Sequence, residues 1–399
     1  MLLAGRTDKL SAEGAYQVLA RAQALEARGH TIIHLEIGEP DFATPASISE
    51  AGIEAIRAGK TRYNPPSGLS ALREKIAEEA GRRRGLSFTP QQVVVSPGAK
   101  PNLFLPTLAL INPGDEVIYP DPGFPTYSAM ITVAGGVPVP VPLLEENSFS
   151  FDLRAFDQLI SVRTRLIIVN SPGNPTGGVM PPEDLDHIAQ AAVQHDCWVL
   201  SDEIYGQILF DGKQAASIAS IPGMMDRTII VDCFSKTYAM TGWRLGFGIM
   251  PEPLAERVGL LLTHSLGCTA HFTQIAGLQA LAGPQDSAYA MVREYQRRRD
   301  LLVAGLNRLP GVTCQLPQGA FYAFPNIRQT RLSSNELAVR MLDGGVALLP
   351  GSAFGQHGEG YLRLAYANSL ENIELALQRM EVVLFKLRES ETVEAKFHI

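Results

Sequence analysis

The 399-residue sequence lacks the features by which several protein classes are known. It has no basic stripe interleaved with aromatic residues, and its formal net charge is −7, so we expect no nucleic-acid partner. No window reaches about 18 uninterrupted apolar residues, and the first residues lack the apolar core of a signal peptide. We therefore expect no membrane partner and a cytoplasmic location. Charged residues make up 19% of the chain and apolar residues 46%, which favours a compact globular protein.

Cysteine is scarce, and the four cysteines lie far apart without a C-x-x-C pair. We interpret them as reduced, structural thiols of a cytosolic protein, and we predict no metal site. They are Cys197, Cys233, Cys268 and Cys314. Lysine is scarce as well. Among the eight lysines, only Lys236 ends a strongly apolar run, in the segment CFSKTYAMTGWRLGF.

The middle of the chain alternates between short β-rich runs and helical stretches. Before it, residues 11–28 form an amphipathic pattern behind Ser11, and a second helix is predicted at about 69–84. Strands that are apolar on both faces and joined by helices predict a mostly parallel sheet covered by helices on both faces, an α/β fold. The runs are VVVS, DEVIYP, VPVPVPL, RLIIVNSP, CWVLSDE and TIIVDCFS.

The pattern changes from about Ala288, where a long Arg-rich helix begins. Strands near 312–325 and 361–367, a helix near 334–343 and a closing helix predict a smaller α+β domain. The predicted organisation is an N-terminal segment joining the small domain, a large domain, a small C-terminal domain and a polar tail expected to fray. Their boundaries are 1–42, 43–282, 283–390 and 391–399.

Ligands of parallel sheets collect at the carboxyl ends of the strands. The residues that follow the predicted strands here are small, polar or aromatic, which is typical of a binding site. They are Pro97–Lys100, Asp121–Phe124, Ser171–Gly177, Asp202–Tyr205 and Ser235–Lys236.

Two charged residues follow neighbouring buried strands. A lone aspartate after a strand is usually a turn or capping residue, but a carboxylate fixed there could also pair with a cationic ring nitrogen, as we consider for Asp202. A lysine at a strand end usually extends into water. In such apolar surroundings Lys236 could instead serve as a neutral nucleophile toward an aldehyde, which is Schiff-base chemistry.

An anion site is also indicated. Gly98 and Ala99 lie where a strand turns into a helix, so free amides at the helix start would face an anion. Ser235 and Arg244 could complete the cradle from the opposite wall, with the arginine as a bidentate fork. Arg363 alternates with leucines along a late strand. It is either a surface residue or a fork for a substrate carboxylate.

The motifs NSPGNPTG, SDEIY and SKTYAMTGWRLGF match one family in order and spacing. From about residue 30 to 385 the sequence resembles the class I and II aminotransferases, the fold type I enzymes that use pyridoxal 5'-phosphate (PLP). The resemblance implies that Lys236 forms the Schiff base with PLP and moves the proton at the substrate Cα. Asp202 would keep the pyridine nitrogen protonated, Asn174 and Tyr205 would hydrogen-bond the phenolic oxygen, and Phe124 would stack on the ring.

The same resemblance assigns the phosphate to Gly98, Ala99, Lys100 through its backbone, Ser235 and Arg244. A serine found in some relatives three residues before the lysine is Cys233 here, so one phosphate hydroxyl is missing.

Three further roles concern the substrate and the assembly. Tyr63 matches the tyrosine that reaches across from a neighbouring subunit, which implies a homodimer with shared active sites. Arg363 matches the arginine that binds the α-carboxylate. Gly38 matches the glycine that lets the substrate lie close to the backbone, and Asn174 and Phe124 also border the substrate. No arginine matches the second carboxylate clamp of some aspartate enzymes.

The resemblance implies an aminotransferase that moves the amino group of an L-amino acid to a 2-oxo acid such as 2-oxoglutarate by a ping-pong mechanism. Aspartate is the expected donor, with aromatic or aliphatic amino acids as alternatives. A PLP-dependent β-elimination lyase or cyclising synthase of the same fold is a second hypothesis. A PLP-sensing regulator is a third, but such regulators carry an N-terminal DNA-binding domain, and only about ten residues precede the first predicted helix.

Overall fold

The computed structural model describes residues 4–8, 10, 14–214 and 216–397, with side chains up to residue 389. The helices are α1 (Gly14–Glu26), α2 (Ala46–Arg57), α3 (Ser70–Arg84), α4 (Lys100–Leu110), α5 (Thr126–Ala134), α6 (Leu153–Leu159), α7 (Pro182–Gln194), α8 (Phe234–Thr237), α9 (Glu252–Ser265), α10 (His271–Ala282), α11 (Asp286–Leu306), α12 (Ser334–Asp343) and α13 (Leu370–Phe397). The strands are β1 (Ile33–His34), β2 (Val93–Ser96), β3 (Glu116–Asp121), β4 (Val137–Leu144), β5 (Ser150–Phe151), β6 (Thr164–Asn170), β7 (Trp198–Asp202), β8 (Thr228–Cys233), β9 (Gly246–Ile249), β10 (Tyr322–Ala323), β11 (Val346–Ala347), β12 (Leu349–Pro350) and β13 (Leu362–Ala365).

An eight-stranded sheet in the order β2-β9-β8-β7-β6-β3-β4-β5 forms the large part of the molecule. Neighbours from β8 to β4 pair in parallel, so the carboxyl ends of these strands share one edge. β9 runs antiparallel to both β8 and β2, with Ser96 opposite Gly246. The predicted mostly parallel sheet is therefore confirmed, with one internal strand reversed.

Both faces of this sheet are buried because its strands are apolar at successive positions. Side chains of a strand point alternately to opposite faces. Leu166 and Ile168 of β6 accordingly pack in a core with residues of α4, α5 and α9, whereas Ile167 and Val169 pack in another with residues of α6 and α7. Helices cover the sheet on both sides, as the sequence predicts.

The C-terminal part contains an antiparallel sheet in the order β10-β13-β12 and the helices α11, α12 and α13. Strand β1 of the N-terminal segment pairs in parallel with β11, with Ile33 opposite Val346. The first residues of the chain and the C-terminal part thus share a small sheet. The boundaries 1–42, 43–282 and 283–390 stay predictions.

Two helix ends differ from the expectation. Helix α1 ends at Glu26 instead of residue 28, because residues 27–29 form a turn; the expected cap Ser11 lies outside the described residues. The backbone of α13 is helical to Phe397, so helix occupies most of the segment expected to fray, and residues 398 and 399 lie outside the described residues. Within the described part of the chain, the helices are too short or too polar to cross a membrane.

Candidate active site

A cavity of about 500 Å³ lies at the carboxyl edge of the large sheet, between that sheet and the C-terminal part. It brings together residues as far apart in the sequence as Ala15 and Arg363. The sequence-predicted residues that line it are Gly38, Ala99, Lys100, Phe124, Asn174, Asp202, Tyr205, Ser235, Lys236, Arg244 and Arg363.

Lys236 lies in the short helix α8, directly after the buried strand β8. Its Nζ donates to the Gly38 carbonyl at 2.5 Å. The amine lies 5.9 Å from the ring centroid of Tyr205 and 5.6 Å from that of Phe321. A lysine held between a carbonyl and two aromatic rings has a defined position in the cavity, unlike one that extends into water.

Asp202 ends β7 and is 1% exposed. Its Oδ2 accepts a hydrogen bond of 2.6 Å from the Tyr127 hydroxyl, and its Oδ1 accepts one of 3.4 Å from the Ile204 N–H. Burial raises the pKa of the Asp202 carboxyl to about 6, although both hydrogen bonds act in the opposite direction. An ionised carboxylate in such a place is stabilised by a cation placed beside it.

Tyr205 forms a pair of hydroxyl groups with Tyr322, with oxygens 2.7 Å apart. Burial holds the pKa of Tyr205 well above its ordinary value, so it remains a hydrogen-bond donor at neutral pH. The Tyr322 hydroxyl also explains a glycine: a Cβ at Gly38 would lie 2.0 Å from that oxygen. The absence of a side chain at Gly38 therefore makes room for Tyr322, while its carbonyl accepts from the Lys236 amine.

The turn between β2 and α4 faces Arg244. Gly98 has φ +84°, and a Cβ there would lie 2.1 Å from Arg244 Nη2, so glycine is required on both counts. The guanidinium donates to the Thr241 carbonyl at 3.0 Å and to the Pro97 carbonyl at 3.4 Å. Ser235, 5% exposed, lines the same cavity. This gathers the residues that the sequence predicts for an anion site.

Arg363 on β13 closes the opposite wall and is 4% exposed, so the reading as a surface residue is wrong. Its Nη2 donates to the Glu36 carbonyl, and its Nη1 donates to Asn174 Oδ1 at 3.4 Å. The guanidinium carbon lies 4.7 Å from the Tyr322 ring centroid and 5.0 Å from that of Phe354. A fixed, planar cation at the cavity wall suits a carboxylate ligand.

Two predicted residues stand apart. Gly98 flanks the cavity without lining it, and Tyr63 is 98% exposed on another surface of the chain. Lys100 lines the cavity with more than its backbone, because its Nζ lies 5.4 Å from the ring centroid of Phe124.

Three residues of the site are absent from the sequence-based prediction. Tyr127 follows Phe124 by one helical turn, and this spacing could have indicated it. Asn170 accepts the Asn174 N–H at 2.9 Å and donates to the Asp202 carbonyl at 3.0 Å, so it ties two strand ends together. Tyr322 comes from a strand 117 residues after its partner Tyr205, and no local signal marks it.

The cavity residues fit PLP on two observations. Asp202 is a buried carboxylate that a protonated pyridine nitrogen would stabilise, because an opposite charge offsets the cost of burial. The glycine turn at the start of α4, with Arg244 beside it, would suit a phosphate group, because helix N-termini and guanidinium groups both attract anions.

Comparisons with known proteins agree with this geometry. A family model described as aminotransferase class I and II matches residues 30–380. Aromatic-amino-acid aminotransferase 2 of Thermococcus litoralis is 40% identical, over 96% of this chain and 98% of that protein. An aspartate aminotransferase of Pyrococcus abyssi is 42% identical, over 88% of this chain and 92% of that protein. The solved structure of Thermus thermophilus aspartate aminotransferase with maleate has a TM-score of 0.91 at 38% identity, and the match covers 96% of this chain and 100% of that one.

Proposed function

Because this chain belongs to the class I and II aminotransferases, we propose that its amino donor is an acidic L-amino acid such as aspartate and its acceptor a 2-oxo acid. The protein is a transaminase that depends on PLP. When bound, PLP supplies an electron sink for the electrons left at Cα once its proton is removed.

Lys236 is the proposed proton carrier. Its amine lies in the cavity and is directed by the Gly38 carbonyl, so in its neutral form it can take the proton from Cα of a bound amino acid. The aromatic rings of Tyr205 and Phe321 limit water around it.

Asp202 and the residues around it are proposed to set the charge of the cofactor site. The Asp202 carboxylate would hold the proton of the ring nitrogen, and the Tyr127 hydroxyl would keep that carboxylate oriented. Tyr205 and Asn174 would donate to the phenolic oxygen. Gly98, Ala99, the Lys100 backbone, Ser235 and Arg244 would hold the phosphate.

Arg363 is proposed to bind the α-carboxylate common to amino acids and oxo acids. Its guanidinium is buried against two rings and held by the Glu36 carbonyl, so its position is fixed before a carboxylate binds. One binding group for both substrates suits a ping-pong reaction, in which donor and acceptor occupy the same place in turn.

The single observation that favours an acidic donor is that Lys100 adds a further cation to the same cavity, beside the three cationic residues with other proposed roles. The Lys100 ammonium lies over the ring of Phe124. Phe124 in turn borders the position that the family resemblance implies for the cofactor. A side-chain carboxylate of the donor could pair with it, in the role for which no second arginine is found. The Thermus thermophilus relative is described with maleate, a dicarboxylate.

An aromatic donor is the second candidate, because the relative from Thermococcus litoralis is named for aromatic amino acids. Tyr16 of α1 lines the cavity and could pack against an aromatic side chain.

We also propose that the working unit is a cytoplasmic homodimer in which the exposed Tyr63 reaches the neighbouring active site. Sedimentation of the holoenzyme tests the assembly. Mixing Tyr63→Phe with Lys236→Ala subunits tests the sharing, because only a shared site gives mixed dimers one fully intact site.

A donor panel tests the proposed reaction. The holoenzyme is mixed with one amino acid at a time, without acceptor, and the conversion of bound PLP to pyridoxamine phosphate is followed by absorbance. Aspartate and glutamate are expected to convert one equivalent of cofactor fastest, ahead of tyrosine and alanine. Release of ammonia with unchanged PLP would identify an elimination reaction instead, and faster conversion by tyrosine would favour the aromatic candidate.

A further inference from the structure

The 351–358 loop is the first part of the connection from β12 to β13, and it is attached to the end of β3 in the large sheet. Asp121, the last residue of β3, is 2% exposed. Its Oδ1 accepts the backbone N–H of His357 at 3.2 Å, and its Oδ2 lies 3.1 Å from His357 Nδ1. This carboxylate does not line the catalytic cavity, and the reaction gives it no role. Burial of a carboxylate costs free energy unless polar groups contact it, so the contacts between Asp121 and the loop indicate a structural role.

The backbone of the loop packs directly onto this carboxylate. Gly355 has φ +129°, and a Cβ there would lie 1.9 Å from Asp121 Oδ1. The next attachment is two residues further along the large domain, where the Gly123 N–H donates to the Phe354 carbonyl at 2.8 Å. The loop is thus held at both Phe354 and His357 by the segment that follows β3.

The held part of the loop carries one wall of the guanidinium site. Phe354 is 5% exposed, and its ring centroid lies 5.0 Å from the guanidinium carbon of Arg363. Tyr322 lies on the guanidinium as well, at 4.7 Å. If the loop moved away from β3, Phe354 would move with it and the Arg363 side chain would lose one of its two aromatic neighbours.

We propose that Asp121 is a positioning residue, which fixes the carboxylate-binding guanidinium of Arg363 through the 351–358 loop. The Asp121 carboxylate connects the two sides of the cavity. On one side, Phe124 follows Asp121 by three residues and borders the proposed cofactor position. On the other side, Phe354 of the attached loop packs on Arg363. Asp121 therefore sets the distance between the substrate carboxylate and the reacting carbon without touching either. This inference rests on the proposed role of Arg363.

The test compares three variants of the holoenzyme. Asp121→Ala removes both contacts with the loop, Asp121→Asn keeps the volume and an acceptor for the His357 N–H, and Gly355→Ala pushes the loop away from an intact Asp121. We expect KM for both amino acid and oxo acid to rise roughly tenfold in Asp121→Ala and Gly355→Ala, since small misplacements are costly to productive binding. Asp121→Asn should recover most of this loss. Affinity for PLP and its absorbance spectrum should stay unchanged.

Asp184→Ala is the matched control, because Asp184 is a carboxylate of 5% exposure that accepts from Asn147 and does not line the cavity. It should leave KM unchanged. Thermal unfolding is measured for each variant, and Asp121→Asn and Gly355→Ala carry the test if Asp121→Ala does not fold.

A double-mutant cycle with Arg363→Lys distinguishes the positioning role of Asp121 from the carboxylate-binding role of Arg363. If Asp121 acts through Arg363, Asp121→Ala adds little to the KM of an enzyme that already carries Arg363→Lys. Additive effects, or a wild-type KM in both Asp121→Ala and Gly355→Ala, would overturn the inference. If Arg363→Lys itself leaves KM unchanged, the proposed role of Arg363 is wrong, which is a different outcome.

Discussion

The two walls of the catalytic cavity are built differently. On the large-sheet wall, Asp202 ends β7 and Lys236 lies in α8 directly after β8, so two adjacent parallel strands carry both residues to the same edge of the sheet. On the opposite wall, Arg363 and Tyr322 come from an antiparallel sheet of the C-terminal part, and they reach the cavity because this part packs at the edge of the large sheet. In the proposed mechanism, the first wall supplies the groups for chemistry and the second supplies the groups for substrate binding.

This difference predicts different losses on substitution. Changes in the large-sheet wall should reduce the rate of the chemical step, whereas changes in the opposite wall should mainly weaken substrate binding. Each of the following experiments tests this division between effects on the chemical step and effects on substrate binding.

The largest effect is expected for Lys236→Ala. Removal of the amine deletes the proton carrier at Cα, for which losses of about 10²–10⁴ in rate are typical, and also the attachment of PLP. Single-turnover absorbance with the best donor measures it. Lys213→Ala is the control, because Lys213 is an exposed lysine that donates to Gln318 outside the cavity. Normal turnover by Lys236→Ala would remove the mechanism.

Asp202→Asn should follow, with a rate loss of about 10²–10³ from the missing electrostatic partner. The pKa of about 6 adds a pH dependence: as the pH falls below about 6, the carboxyl of the apoprotein becomes neutral, and PLP should bind more weakly. Titration of the apoprotein with PLP between pH 5 and 8 measures this. Asp202→Asn should remove the acid limb. Asp232→Asn is the control, because Asp232 is also buried with a pKa raised to about 6 but does not line the cavity.

Arg363→Lys should change binding and leave the rate of chemistry largely intact. A lysine loses the bidentate geometry, so we expect a rise in KM of about 10-fold to 100-fold for donor and acceptor alike, in line with about 1.5–3 kcal/mol for a hydrogen bond to a charged group. Arg328→Lys is the control, since Arg328 also lies on an aromatic ring, that of Tyr361, but outside the cavity. A loss confined to kcat would contradict the division between the walls.

The smallest effect is expected for Lys100→Gln, which tests donor choice. Loss of the ammonium should raise KM for aspartate by at most about fivefold and leave KM for tyrosine or alanine unchanged, because a partly exposed ion pair contributes no more than about 1 kcal/mol. Lys100→Arg, which keeps the charge, should retain the preference. Equal losses for all donors would place the lysine in cofactor binding alone.

The difference between the two walls also explains which site residues could be predicted from the sequence. The strands β6, β7 and β8 are buried on both faces, so their apolar runs are visible in the sequence, and the residues that follow them are easily found. The role of Arg363 needed the family resemblance, because its strand has only four residues and its environment comes from distant segments. Tyr322 and Asp121 act through tertiary packing, for which a single sequence has no periodic signal.

Even within the large sheet, the sequence-based prediction misses two strands, one of which is the two-residue edge strand β5. The predicted strands do not include β9, whose sequence GFGI is short and rich in glycine. Glycine has low strand propensity, so such a segment does not look like a central strand. Tertiary context makes it one: a Cβ at Gly246 would lie 2.5 Å from the carbonyl carbon of Gly98, so the close approach of two backbones excludes larger residues.

The reversed strand β9 limits where insertions and deletions can be tolerated in this chain. Because β2 and β9 are antiparallel, Ser96 at the end of β2 lies opposite Gly246 at the start of β9. This single register fixes the turn between β2 and α4 relative to Arg244. A deletion or insertion of one codon in either strand would turn the following side chains to the opposite face. We therefore expect natural length variation to be absent from 93–98 and 244–249, and to collect in exposed connections such as the turn at 211–214.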